Sequence, residues 1–298
     1  MYVNNILWTI GNTPMVKINH MNSNPKVDLY AKLEGFNPTG SIKDRVALKM
    51  IEEAEINGEL TNNKTIIEAT SGNTGIGLSM IGKVKGYKVQ IVMSSAVSIE
   101  RQKMIKAFGG EIILTDSTLG TDGAIMKVRE MIAEKPAKYF NPNQFSNVHN
   151  KLAHYKTTSE EIWNQTQGLI THFVSSLGTS GTLMGVGMGL REKNKLIKIV
   201  EAHPVRGHYI QGLKSMEEAI VPEIYDPSQI DLSVKVESEE AFEMSRRIVN
   251  EEGIFVGMSS GAAMLAALKT AEQLDSGVIV MIFPDRGEKY LSTNLFQL

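Results

Sequence analysis

Thr65-Ile66-Ile67-Glu68-Ala69-Thr70-Ser71-Gly72-Asn73-Thr74-Gly75 reads as a strand that runs through a loop of small and hydroxyl residues into a helix. The β-branched start suits a buried, pleated strand, and the Gly72-Asn73-Thr74-Gly75 loop opens a helix reaching about residue 85. Residues 88–93 read as a strand again. The alternation continues outward in both directions. Upstream, 27–32 is a strand, and a helix follows with apolar residues at Val46, Met50, Ile51 and Ala54. Downstream, 98–108 is helical, 111–115 a strand and 121–134 helical. Residues 155–166 read as a helix. A strand at 172–176 passes through Gly178-Thr179-Ser180-Gly181-Thr182 into another helix. Residues 197–202 form a strand, 238–252 and 260–274 helices, and 278–283 a last buried strand. Such alternation predicts an α/β fold of mostly parallel sheets covered by helices on both faces.

The 298 residues suffice for two domains. Apolar content of 42% and charged content of 21% are those of a globular protein, and a net charge of −2 gives no reason to expect nucleic acid or membrane as partner. The absence of cysteine excludes disulfides, thiolate nucleophiles and cysteine metal sites. Neither a secretory signal nor a membrane span is recognised, so a cytoplasmic protein is expected. Asn141-Pro142-Asn143-Gln144 is the best linker candidate. Residues 204–231 carry three prolines and two glycines without periodicity, and read as a long ordered loop of the kind that serves function.

Asn37-Pro38-Thr39-Gly40-Ser41-Ile42-Lys43-Asp44-Arg45 places Lys43 in the first turn of a helix, with Ser41 as a suitable N-cap. Two readings stand for this lysine. It is a solvated surface residue, or an amine whose pKa the helix terminus and burial depress for Schiff-base chemistry. The loop 70–75 suits a carboxylate through Ser71, Thr74 and backbone N–H groups, with Asn73 offering a donor to a neighbouring oxygen; a capped helix start accounts for it equally well. The loop 178–182 is a phosphate cradle by mechanism. No lysine follows as in a Walker A loop, and no acidic residue follows as in a dinucleotide fingerprint. Gly185-Val186-Gly187-Met188-Gly189 falls inside the next helix, where close packing is its expected purpose. In Gly257-Met258-Ser259-Ser260-Gly261 either serine serves as a helix cap. No histidine pair has metal-ligand spacing, and His172 is expected to be structural. A lysine together with a phosphate cradle and no metal ligands is what pyridoxal 5′-phosphate (PLP) requires.

The chain resembles the fold-type II PLP enzymes, and among them the cysteine synthases (O-acetylserine sulfhydrylases), over nearly its full length. The resemblance rests on an ordered set: IGNTP at 10–14, NPTGSIKDR at 37–45, EATSGNTGIGL at 68–78, NPNQF at 141–145, SSLGTSGT at 175–182, GMSSGAA at 257–263 and PDRGEKYLST at 284–293. The KDR, AHY and PDRG segments look nearer the B isozyme. It implies two three-layer α/β/α domains, 37–146 and 1–36 plus 147–298, with PLP in the cleft between them, and a homodimer. It implies that Lys43 forms the Schiff base and later moves protons, and that Asn73 bonds the 3′ oxygen. Gly178, Thr179, Ser180, Gly181 and Thr182 would hold the phosphate, and Ser259 would face the ring nitrogen. Thr70, Ser71, Gly72, Thr74 and Gln144 would receive the substrate carboxylate. The implied reaction makes L-cysteine from O-acetyl-L-serine and sulfide or thiosulfate, through an α-aminoacrylate. The alternative is a cystathionine β-synthase-like condensation with homocysteine. Met93-Ser94-Ser95-Ala96 and residues 207–212 depart from the commonest family pattern at the cleft entrance.

Overall fold

The apolar run Gly277–Phe283 forms a strand buried on both faces in the computed structural model, which describes residues 2–296. In chain order the first half contains β1 (Met15–Lys17), β2 (Val27–Leu33), α1 (Lys43–Ile56), β3 (Thr65–Ala69), α2 (Asn73–Lys85), β4 (Lys88–Ser94), α3 (Ile99–Ala107), β5 (Glu111–Thr115), α4 (Gly120–Glu134) and β6 (Tyr139–Phe140). The second half contains α5 (Val148–Ala153), a π-helical turn (His154–Thr158), α6 (Ser159–Gln165), β7 (His172–Ser176), α7 (Gly181–Lys193), β8 (Lys198–Pro204), β9 (Leu232–Val236), α8 (Ser238–Arg247), a second π-helical turn (Ile248–Glu252), α9 (Met258–Ala271) and β10 (Gly277–Phe283).

Two sheets result. One is four-stranded and parallel throughout, in the order β5-β4-β3-β6. The other runs β1-β2-β10-β7-β8-β9, with only β1 antiparallel to its neighbour. Period-two alternation explains why both faces are covered. Ile279, Met281 and Phe283 of β10 join Leu29 and Ala31 against Phe242 of α8 and Ala262 and Ala266 of α9. Val280 and Ile282 face the other way, toward Leu183, Val186 and Leu190 of α7. In the smaller sheet Ile66 and Ile91 pack with Ile51 of α1 and Ile76 of α2, while Ile67, Ala69 and Val92 pack on Ala124, Ile125 and Val128 of α4.

Several boundaries differ from expectation for local reasons. Helix α1 starts at Lys43, and Ile42 holds the N-cap position with helical dihedrals. Ser41 instead bridges to Asp285 through its backbone, while its Oγ accepts from the Lys43 N–H at 3.3 Å. The helix expected at 155–166 begins at Val148 and is interrupted by the first π-helical turn. The Asn141–Gln144 stretch is no loose linker, because Gln144 is buried and its backbone is gripped by Glu68. Strands β1, β6 and β9 were not expected. The first two are very short, and β9 is a half-exposed edge.

A buried ion network ties α1 to α6 and to the segment after β2. Arg45 bonds both oxygens of Glu34 (2.8 and 2.9 Å) and both of Glu161 (2.6 and 2.8 Å). Lys32 reaches Glu161 at 2.7 Å, and Thr13 Oγ1 donates to Glu34 at 2.7 Å. Glu34 and Lys32 are wholly buried. Despite its burial, Glu161 is held well below the usual carboxylate range by Arg45 and Lys32.

Candidate active site

Four helices begin at one cleft. Lys43 is the first residue of α1, Asn73 of α2, and Gly181 of α7, while Ser259 is the second of α9. In α2 and α7 the cause is topological, because a parallel strand delivers the chain at its carboxyl end to the start of the next helix. The unpaired N–H groups and positive dipole ends of these helices favour anions. Lys43, Asn73 and Ser259 line the cleft, with Gly178, Thr179, Ser180 and Thr182. Thr70, Ser71, Thr74 and Gln144 line it as well. Gly72 and Gly181 stand behind this lining. Gly72 has φ +130°, and a Cβ there would lie 2.4 Å from Arg101 Cδ, so the loop turns only with glycine. No Asp or Glu among the described residues lines the cleft, whereas Lys43 and Lys214 do.

Burial lowers the pKa of Lys43 from 10.5 to about 8, against the upward pull of Asp285 and Glu34. Desolvation is therefore the principal cause of the depressed pKa anticipated for this lysine. Gln144 Oε1 accepts from Thr74 Oγ1 at 2.6 Å, and its Nε2 donates to the Ala69 carbonyl at 3.0 Å. Thr74 and Gln144 therefore act as one pair.

Sequence reasoning missed several groups in and behind this lining. Asn73 Nδ2 donates to Asp285 Oδ2 at 2.7 Å, and Asn73 Oδ1 accepts from Lys289 at 3.2 Å, which fixes the amide's orientation. Tyr290 donates to the same Asp285 oxygen at 2.8 Å. Arg101 of α3, almost wholly buried, lies 4.5 Å over the Tyr290 ring, bonds Gln211 and approaches Asp285 at 3.6 Å. Lys214 spans to Asp122 at 2.7 Å. The run PDRGEKYL contains Asp285, Lys289 and Tyr290, so its density of polar residues after a buried strand was the available signal.

Glu68 is another hidden group. Its oxygens accept the N–H of Asn143 (2.8 Å) and of Gln144 (3.3 Å), and they hold Asn143 in a left-handed conformation at φ +49°. Burial pushes its pKa from 4.5 up to about 8. Because the folded value lies above the unfolded one, the linked stability is full below about pH 4.5 and is lost as pH rises toward 8. Glu68→Gln should flatten that slope, removing a change on the order of a few kcal/mol between pH 5 and 8. Urea unfolding of both proteins at the two pH values checks this, and parallel slopes would refute it.

The family model for pyridoxal-phosphate dependent enzymes matches residues 6–285. The chain belongs to that family. Among pyridoxal-phosphate dependent enzymes, it is 46% identical to a cysteine synthase of Aquifex aeolicus over 299 residues, covering 98% of this chain and 91% of the relative. It is 44% identical to cysteine synthase B of Escherichia coli over 288 residues, covering 97% and 94%. A crystal structure of cysteine synthase from Entamoeba histolytica superposes with a TM-score of 0.93 at 43% identity, covering 100% of this chain and 92% of that one. The fold-type II expectation, mostly parallel α/β sheets, therefore holds.

The residues present fit the family's cofactor. The Ser180 hydroxyl in the expected phosphate loop is buried without a partner, and Ser180 itself is left-handed at φ +66°. A phosphate at the α7 N-terminus would give that hydroxyl an acceptor. The absence of Asp and Glu from the lining, among the described residues, suits a dianion and an amino-acid carboxylate in one cleft.

Proposed function

We propose that this chain makes L-cysteine by β-replacement, from O-acetyl-L-serine and sulfide, with PLP held in the cleft. The observation that carries the reading is the convergence on one cleft of Lys43, Asn73, the 178–182 loop and Ser259 beside a carboxylate-type loop. Bound there, the cofactor supplies a carbon for the amino-acid nitrogen to attach to and an electron sink for loss of the β-acetoxy group.

The chain's own residues do the rest. Gly178, Thr179, Ser180, Gly181 and Thr182 bind the phosphate through N–H groups and hydroxyls. Asn73, clamped by Asp285 and Lys289, donates to the 3′ oxygen. Thr70, Ser71, Gly72, Thr74 and Gln144 receive the α-carboxylate; to do so, the Thr74 hydroxyl turns from Gln144 toward the substrate. Lys43, once free, takes the α-proton, and its pKa near 8 leaves a useful fraction unprotonated at neutral pH. Ser259 is neutral, so no carboxylate favours a protonated ring nitrogen. The units 37–146 and 1–36 plus 147–298 close on the substrate. The protein works as a cytoplasmic homodimer; no helix among the described residues is long and apolar enough to cross a membrane, and exposed Trp8 and Phe36 suit a subunit interface.

The purified protein should show visible absorption that borohydride removes, with the label on Lys43. With O-acetylserine, sulfide should give the fastest acetate release coupled to cysteine, ahead of thiosulfate and homocysteine. Failure to release acetate would sink the proposal. Turnover with homocysteine alone would favour the cystathionine β-synthase-like alternative.

A further inference from the structure

The π-helical turn His154–Thr158 inserts a residue type that the proposed mechanism leaves idle. His154 is completely buried and uses both ring nitrogens. Nδ1 lies 3.0 Å from Thr158 Oγ1, and Nε2 lies 3.2 Å from Thr182 Oγ1. Thr158 is also completely buried, while Thr182 is half-buried and lines the cleft. The close approach depends on the Gly185 and Gly189 face of α7. A Cβ at Gly185 would lie 2.2 Å from the Lys151 carbonyl and 2.9 Å from His154 Cβ, and one at Gly189 would lie 2.2 Å from Ser159 Oγ. The glycine run inside α7 is what seats the π turn beside the phosphate loop. Wide turns of this kind recur at functional sites.

We propose that His154 is a positioning residue whose Nε2–H donates to Thr182 Oγ1, turning the Thr182 hydroxyl proton toward the cofactor phosphate. This rests on the PLP reading given above. The alternatives are few. A neutral imidazole has one N–H and one bare nitrogen. If Nε2 were bare, it would accept the Thr182 proton and leave only oxygen lone pairs facing an anion. With Nε2 protonated, Thr182 accepts from the ring and its own proton is free for the phosphate. Nδ1 is then bare, and the Thr158 hydroxyl, which has no other partner among the described hydrogen bonds, supplies it with a donor. The result is one directed chain, Thr158 O–H to Nδ1, Nε2–H to Thr182, and Thr182 O–H to phosphate. Burial, aided by Lys43 and Arg45, holds the His154 pKa well below the usual value and keeps the ring neutral; Glu161 opposes them weakly.

The test uses the PLP-loaded enzyme with 15N-labelled histidine. Two-bond proton–nitrogen correlations, with His154 assigned by its loss in His154→Gln, should show Nδ1 as the bare nitrogen. A proton on Nδ1, or on both nitrogens, overturns the proposal. In parallel, the 31P resonance and the PLP dissociation constant are measured for the wild type, Thr158→Val and His154→Gln. Valine is nearly isosteric with threonine, so Thr158→Val should fold, yet it removes the donor that sets the tautomer. It should shift the 31P signal and weaken PLP roughly three- to tenfold, the worth of one hydrogen bond. His154→Gln, which can present an N–H near the Nε2 position, should retain more affinity than Thr158→Val. Unchanged 31P shift and affinity in Thr158→Val refute the His154 role alone. Failure of the wild type to bind PLP refutes the functional reading instead.

Discussion

Lys43→Ala is expected to lower cysteine formation by roughly 10³-fold or more while PLP remains bound through the phosphate loop. The first part follows from two roles that share one amine. In the proposed mechanism Lys43 anchors the cofactor covalently and moves the α-proton. Among the described residues the cleft offers no carboxylate to take over the second role, and Lys214 is already paired with Asp122. The second part follows from the separation of functions. In the proposed mechanism the 178–182 loop and the N-terminus of α7, which begins at Gly181, would hold the phosphate without help from α1. Steady-state rates and PLP retained after desalting provide the measurement. Residual turnover above about one-tenth of wild type would refute the assignment. The pH profile of kcat, which reports Lys43 once substrate has freed it, should rise with pH through a value below that of an ordinary lysine.

The second large effect concerns stability. Arg45→Met should destabilise the fold by about 3–5 kcal/mol, because it leaves the wholly buried Glu34 without its cation. Glu161 keeps Lys32 at 2.7 Å, so most of the cost falls on Glu34. The double variant Glu34→Gln with Arg45→Met should recover much of that loss, since the stranded charge disappears. Removing Lys127 from its exposed pair with Glu130 should change stability by less than about 1 kcal/mol and serves as the control. Chemical denaturation of the four proteins decides it. Equal losses for the single and double variants would show that geometry, not the buried charge, set the cost.

The parts of this molecule that could be read from the chain are those governed by neighbours in sequence. Strands β3 and β10 are buried on both faces; β10 appears as an uninterrupted apolar run, and β3 departs from one only at Thr65 and Glu68. The phosphate-type and carboxylate-type loops carry their small residues consecutively. Strand β9 escaped because it follows a proline-rich stretch and alternates apolar with exposed polar residues over only five positions. The π turn escaped because its residues suit an ordinary α-helix, and only the glycine face of α7 makes the wider turn fit. Asp285, Lys289 and Arg101 escaped for a different reason. Asn73 and Asp285 are 212 residues apart, and local patterning carries no information on such a meeting. In the sequence Glu68 is one residue of a strand, and only its grip on Asn143 and Gln144 gives it a purpose.

The sheet order also constrains how the chain can be synthesised. Strand β10 lies between β2 and β7, so β2 must wait for the last strand before its open edge is filled. The ribosome adds roughly 5–20 residues per second, so this edge stays unpaired through most of translation. The four-stranded sheet has no such delay, since β3 to β6 are contiguous in the chain. A stalled ribosome presenting the chain up to residue 270 should therefore display a protease-resistant 65–140 segment and a sensitive 27–33 segment. Equal protection of both would mean that β2 finds a temporary partner. The N-terminal strand is made among the first and folded among the last, which leaves a nascent chain of this enzyme dependent on whatever shields an open sheet edge.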